Sequence, residues 1–221
     1  MPFAFVDTLT ENFDAFVEGF FTTVQIVVVS FVIAMAVGTL VAAFRVAPSK
    51  TLQRVGGVYV EFFRNIPLLV LLFITFPGLR RAGVDISAYV AGVASLGLYT
   101  AAYVAEAIRS GVFSVSKGQI EASLSLGFSH PQTLRRIVLP QAFRTVISPL
   151  GSLIIAMIKN SAIIGGSILA LDDLLKTGRV IAARTFDVIP AFVWAASGYL
   201  ILTGLTTIAI RRLETRYAVR R

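Results

Sequence analysis

The chain has 221 residues, of which 56% are hydrophobic and only 14% charged, with a mean hydropathy of +0.81 and a net charge of +8. A soluble domain keeps its surface in water with roughly 25% charged residues, so this composition excludes a soluble globule and indicates one membrane domain. With no cysteine and a single histidine, His130, it also excludes disulfides, thiolate–metal centres and histidine-rich metal sites.

From the N-terminus, Asp7, Glu11, Asp14 and Glu18 recur at helical spacing where a cleavable signal would carry basic residues. Val6, Leu9, Phe13, Phe16, Val17 and Phe20 take the opposite side, which predicts an amphipathic helix over 1–18 lying on the membrane surface. Residues 19–44 carry no charge and form the first span. A basic turn with Arg45, Lys50 and Arg54 leads to a second span over 55–76, ended by Pro77-Gly78. The third span covers 86–105, and 106–144 is the longest polar segment. The fourth span, 145–171, contains Lys159 and Asn160. A charged loop, 172–187, precedes the fifth span, 188–210, and a basic tail with Arg211, Arg212, Arg216, Arg220 and Arg221. The expected fold is an all-α membrane protein, a single transmembrane domain over 19–221 with five transmembrane helices.

Basic residues sit at the ends of the apolar runs and form no compact patch, so the net charge reports topology rather than a nucleic-acid partner. Arg45, Lys50 and Arg54, then Arg109, Lys117, Arg135, Arg136 and Arg144, then the tail arginines fall on one side. The other side has only Arg80, Arg81, Lys176, Arg179 and Arg184. The N-terminus is therefore expected outside and the C-terminus in the cytoplasm.

The polar segment then lies in the cytoplasm. Glu121 to Leu126 reads as a helix, Gly127 as its C-cap, and Ser129-His130-Pro131 as a new helix start. A second short helix over 133–138 is expected to end at Pro140.

Glu121-Ala122-Ser123, three residues, Gly127, nine residues, Ile137, one residue and Leu139-Pro140 resemble the EAA loop of ABC importer permeases. The one departure is Ser123, where that pattern has a second alanine. Arg109-Ser110-Gly111, Val115 and Gly118-Gln119 ahead of the loop, Phe63-Arg64-Asn65-Ile66-Pro67 and Lys159-Asn160-Ser161 resemble the polar amino acid branch of the same family. The resemblance implies a type I importer fold in a bacterial cell membrane. Glu121, Ala122, Ser123, Gly127, Ile137, Leu139 and Pro140 would couple the chain to an ATPase. Implied partners are a second permease subunit, identical or paralogous, two ATP-binding cassette ATPase subunits, an extracytoplasmic substrate-binding protein and a polar amino acid. No stretch fits a phosphate-binding loop of the Gly-x4-Gly-Lys-Ser/Thr kind. The chain is thus no enzyme and needs no cofactor of its own, ATP and Mg being held by the partner ATPase.

Charged and polar residues within spans are costly and invite functional readings. Lys159 and Asn160 fall near mid-depth, where Pro149 and Gly151 bend the path, and either face the translocation path or pair at a helix break. Glu61 and Arg64, three apart, are expected to pair with each other. Thr100 and Tyr103 are candidates to line a cavity, and Trp194 faces lipid or core. A cationic pair of Arg64 and Lys159 favours glutamate or aspartate as substrate. An ion-coupled secondary transporter, or a structural membrane subunit without its own substrate site, are the alternatives.

Overall fold

The computed structural model describes residues 2–167, 169 and 171–217, so Arg220 and Arg221 lie outside the described residues. Nine helices are described: α1 (Pro2–Glu11), α2 (Phe13–Val46), α3 (Lys50–Asn65), α4 (Leu68–Arg81), α5 (Ala88–Phe113), α6 (Lys117–Ser125), α7 (His130–Gly166), α8 (Leu174–Thr185) and α9 (Val188–Tyr217). Four of them, α2, α5, α7 and α9, are each long and apolar enough to cross a membrane, and α3 with α4 forms a fifth candidate bent by 100°.

The packing gives each span its direction. Ser30 Oγ of α2 donates to the Val93 carbonyl of α5 at 3.2 Å, and Arg45 reaches Glu106 at 2.6 Å. Between them, a Cβ on Gly38 would sit 2.8 Å from the Ala101 carbonyl oxygen. Positions rise together along both helices, so α2 and α5 run parallel. Parallel neighbours require the chain to return across the membrane between them, and only α3 with α4 can do so. Tyr59 Oη donates to the Leu98 carbonyl at 2.8 Å, and Thr75 Oγ1 meets Ser95 Oγ at 2.8 Å, so the bent pair runs antiparallel to α5. The bent pair is therefore one span. Gly92 against Ile164 and Gly111 against Val146 make α7 antiparallel to α5, and Gly151 against Ile210 continues the packing to α9.

Several expectations need correction. The N-terminal helix is not continuous over 1–18: the chain turns at Asn12, and the first span helix starts at Phe13. Buried Asn12 makes this corner, its Nδ2 donating to the Thr8 carbonyl at 2.8 Å while Arg184 donates to its Oδ1. Val6 and Phe13 are exposed, whereas Thr8, Asn12 and Phe16 form the buried side. Trp194 is held by this segment, donating to the Phe5 carbonyl at 2.8 Å.

Neither Pro77 nor Pro140 ends its helix. A proline clashes with the carbonyl four residues earlier and removes one N–H. Both prolines sit in or just after a π-helical turn, 74–78 and 134–138, whose wider winding moves that carbonyl aside. The expected short helix over 133–138 is instead the base of α7, which runs unbroken from His130 through Pro149 to Gly166. Gly151 serves close packing, since a Cβ there would approach Ile210 to 2.6 Å.

The expected loop 172–187 contains α8, capped by Asp173. Its carboxylate is fully buried. Oδ1 accepts from the Lys176 backbone N–H at 2.9 Å and Oδ2 from Tyr199 Oη at 3.1 Å. Gly165 leaves it space that no Cβ could share, and the next N–H, of Leu174, reaches Thr23 Oγ1 at 3.2 Å. One carboxylate thus sits where α2, α7, α8 and α9 meet.

Burial pushes the Asp173 carboxyl up to about 6, against the opposing pull of the Lys176 N–H and Tyr199 hydroxyl. A carboxyl raised in the folded state adds stability below its ordinary value near 3.8, and that stability is lost as pH rises through about 6. In thermal unfolding in detergent between pH 8 and 4, this carboxyl is expected to contribute a gain of about 2 kcal/mol toward the acid end. Asp173→Asn, which keeps the cap, should flatten that slope.

Candidate functional site

Two features stand out on the side of the bundle where α2, α5 and α9 end. The first is the connection from α5 to α7. Helix α6 closes with a Schellman motif: the Gly127 N–H donates to the Leu124 carbonyl at 3.0 Å and the Phe128 N–H to the Ser123 carbonyl at 3.1 Å. Gly127 takes φ +83, which a glycine adopts without strain. Two residues on, Ser129 and Gln132 form a reciprocal capping box that starts α7, with Pro131 in the first turn. C-cap and N-cap stand almost back to back, so the corner has little freedom.

Glu121, Ala122 and Gly127 are exposed on this corner, and Leu126 is 79% exposed, an apolar knob at its tip. Ser123 is buried. Further up, Ile137 is half-buried, and its carbonyl accepts from Gln141 Nε2 at 3.0 Å. Leu139 and Pro140 face outward. The motif residues therefore divide into an exposed tip and a base on α7, a division that spacing alone did not reveal.

The second feature is a groove of about 390 Å³ between α5, α7 and the end of α3, lined by Arg64, Tyr103, Glu106, Ser110, Thr145 and Ser152 among others. Arg45 Nη1 donates to Glu106 Oε2 at 2.6 Å, and Arg109 donates to Oε1 through Nε at 3.1 Å and through Nη2. Arg64 lies over the Tyr103 ring, 5.6 Å from its centroid, and Tyr103 shares a hydroxyl contact with Tyr99 at 3.1 Å. Three guanidiniums thus gather about one carboxylate whose oxygens are both engaged. Among the described residues no ion pair engages Arg64, so its guanidinium, at the groove wall, is suited to a carboxylate.

Of the residues singled out in the sequence, the groove collects Arg64 and Tyr103. Among the described residues no ion pair joins Glu61 to Arg64, since Arg64 turns to the tyrosine ring instead. Thr100 is buried in helix packing at 4% exposure and is not among the residues that line this groove. Lys159 is exposed and Asn160 half-buried, and neither lines this groove. Glu106 and its arginines were not predicted as a site. Their signal was the Glu-x-x-Arg spacing at the end of one span and a lone arginine at the end of another.

The described residues thus form a helical membrane bundle with a capped corner and a polar groove at one end. Over residues 34–219 the chain matches the family described as binding-protein-dependent transport system inner membrane component, and it belongs to that family as a multi-pass inner-membrane protein. It is 40% identical over 211 residues to a probable glutamine ABC transporter permease protein, GlnM of Bacillus subtilis, covering 96% of this chain and 97% of that one. The glutamate transport system permease protein GluC of Corynebacterium efficiens is 37% identical over 217 residues, covering 91% and 93%. A solved amino acid ABC transporter with histidines superimposes with a TM-score of 0.89 at 30% identity, over 94% of this chain and 96% of that one.

The ionic cluster yields a test. Its side chains are 22–31% exposed, so breaking it costs less than a fully buried pair would. Glu106→Gln is expected to lower thermal stability in detergent by about 1–2 kcal/mol. Arg45→Met should cost less in that background than alone, a double-mutant cycle that checks the pairing.

Proposed function

We propose that the chain is the permease subunit of an ATP-driven amino acid importer, lining half of the translocation pathway and coupled to a separate ATPase through residues 121–140. The observation that carries this reading is the corner itself: a short helix closed by a Schellman motif, with the capping box of the next helix directly after it, presenting Glu121, Ala122 and Leu126 to solvent. A partner seated on a stiff corner can push or pull the spans as a body. The sequence has no phosphate-binding loop of the Gly-x4-Gly-Lys-Ser/Thr kind, which supports assigning ATP and Mg to the partner.

In this reading the corner and the Glu106 cluster face the cytoplasm, and α1 and α8 face outside, a topology that the distribution of basic residues supports. A cavity of about 620 Å³ between the Asn12 corner and α8, rimmed by Glu11, Asp14, Glu18 and Asp172, is then on the side of the binding protein. A second permease subunit completes the pathway. The substrate is a polar amino acid read by a carboxylate at Arg64. The preference for glutamate or aspartate keeps Arg64 but loses Lys159, which the groove leaves out, and the relatives named for glutamine and for glutamate support both readings.

The coupling test is substrate-stimulated ATP hydrolysis by the assembled transporter in liposomes. Glu121→Lys and Gly127→Pro are expected to abolish stimulation while the permease remains inserted. Unchanged stimulation would make 121–140 a mere connection. Uptake assays test the groove: excess glutamate or glutamine should suppress transport while lysine does not, and Arg64→Ala should raise KM about tenfold. A proton-gradient collapse that stops uptake with ATP present would favour an ion-coupled transporter instead.

A further inference from the structure

The loop pattern has alanine where this chain has Ser123, and the structure gives that hydroxyl a specific partner. Ser123 Oγ donates to the Ile120 carbonyl at 2.8 Å and lies 2.9 Å from Thr133 Oγ1. With the serine proton committed to Ile120, the threonine hydroxyl is the donor between them. Ser123 is 4% exposed and Thr133 3%, so water competes with neither bond. Ser123 belongs to α6 and Thr133 to the first turns of α7. The bond therefore joins the two arms of the corner directly, behind the exposed face.

We propose that Ser123 and Thr133 are positioning residues for coupling: their hydroxyl pair fixes the angle between α6 and the base of α7, so that a displacement of the exposed tip reaches the spans undiminished. This rests on the coupling role of the corner given above. Other links fit the same task. Gln141 Nε2 donates to Gln119 Oε1 at 2.6 Å at the far end of α6, and Arg136 lies over the Phe128 ring, 5.8 Å from its centroid. Both are at the surface, where water and other side chains can replace them. The Ser123–Thr133 bond is the buried one, and in a dry setting a directional bond resists bending more than the same bond in water.

The chain has no cysteine, so two introduced ones carry unique spin labels. Exposed Ser125 and Arg144 are suitable positions, one on α6 and one on α7. In the assembled transporter, the distance distribution between labels at S125C and R144C is expected to be narrow and to broaden in Thr133→Val and in Ser123→Ala. The ratio of substrate imported to ATP hydrolysed should fall about three- to tenfold in both variants. The double variant should be no worse than either single one, and Thr133→Ser, which keeps the hydroxyl, should restore both readouts. Ser123→Ala introduces the alanine of the family pattern and so tests the bond without risking the packing. Unchanged width, or an unchanged import ratio in Thr133→Val and Ser123→Ala, overturns the proposal. Glu121→Lys separates the two ideas. If it abolishes stimulation while the hydroxyl variants behave as wild type, coupling stands and the positioning role falls. If it also has no effect, the coupling reading itself fails.

Discussion

In hydrocarbon, helices gain nothing by hiding apolar surface from lipid, so a bundle depends on backbones brought close enough for dispersion and short polar bonds to act. In this chain that condition is met most extensively along α2 and α5. Gly38 admits the Ala101 carbonyl, Gly97 lies so close to Ser30 that a Cβ would meet its carbonyl at 3.1 Å, and Ser30 bonds across to Val93. A larger side chain at either glycine would force the helices apart. The seam fixes their parallel register, and from that register follow the return span between them and the meeting of Arg45 with Glu106 at their ends.

What the seam fixes at one end, Asp173 fixes at the other. Its two oxygens and the adjoining Leu174 N–H bind α8 to α2 and α9, and Gly165 of α7 makes the space. The burial of a carboxylate is unfavourable, yet each of its oxygens has a donor, and it holds four helices at one point. The regular winding of the spans is interrupted at the bend at 66–67 and at the two π-helical turns. A movement imposed on the corner at α6 would therefore be carried by α5 and α7 as bodies, with the groove between them.

The sequence disclosed the spans, the Gly127 corner and the start at Ser129 because each is local: apolar length, a left-handed glycine and a cap have fixed signatures. It misled where a local rule was outweighed by something distant. Asn12 breaks the amphipathic repeat of 1–18 because Arg184, remote in sequence, bonds it. Pro77 and Pro140 read as helix ends, but a π-helical turn absorbs each. The segment 172–187 read as loop because its charges hide the apolar side of α8 that packs on Ala191 and Ala195. Glu61 and Arg64 have the spacing of a pair, yet a tyrosine on another helix competes for the arginine. The Glu106 cluster was only partly legible for the same reason, since Arg45 comes from α2 and Arg64 from α3.

The central claim, that the corner between α6 and α7 is the seat of the ATPase, is tested most directly by a photo-reactive residue at Leu126, the exposed tip. On illumination of the assembled transporter in membranes, a covalent adduct with the ATPase subunit is expected, its yield shifting with nucleotide. An adduct with the extracytoplasmic binding protein, or no protein adduct in any nucleotide state, would contradict it.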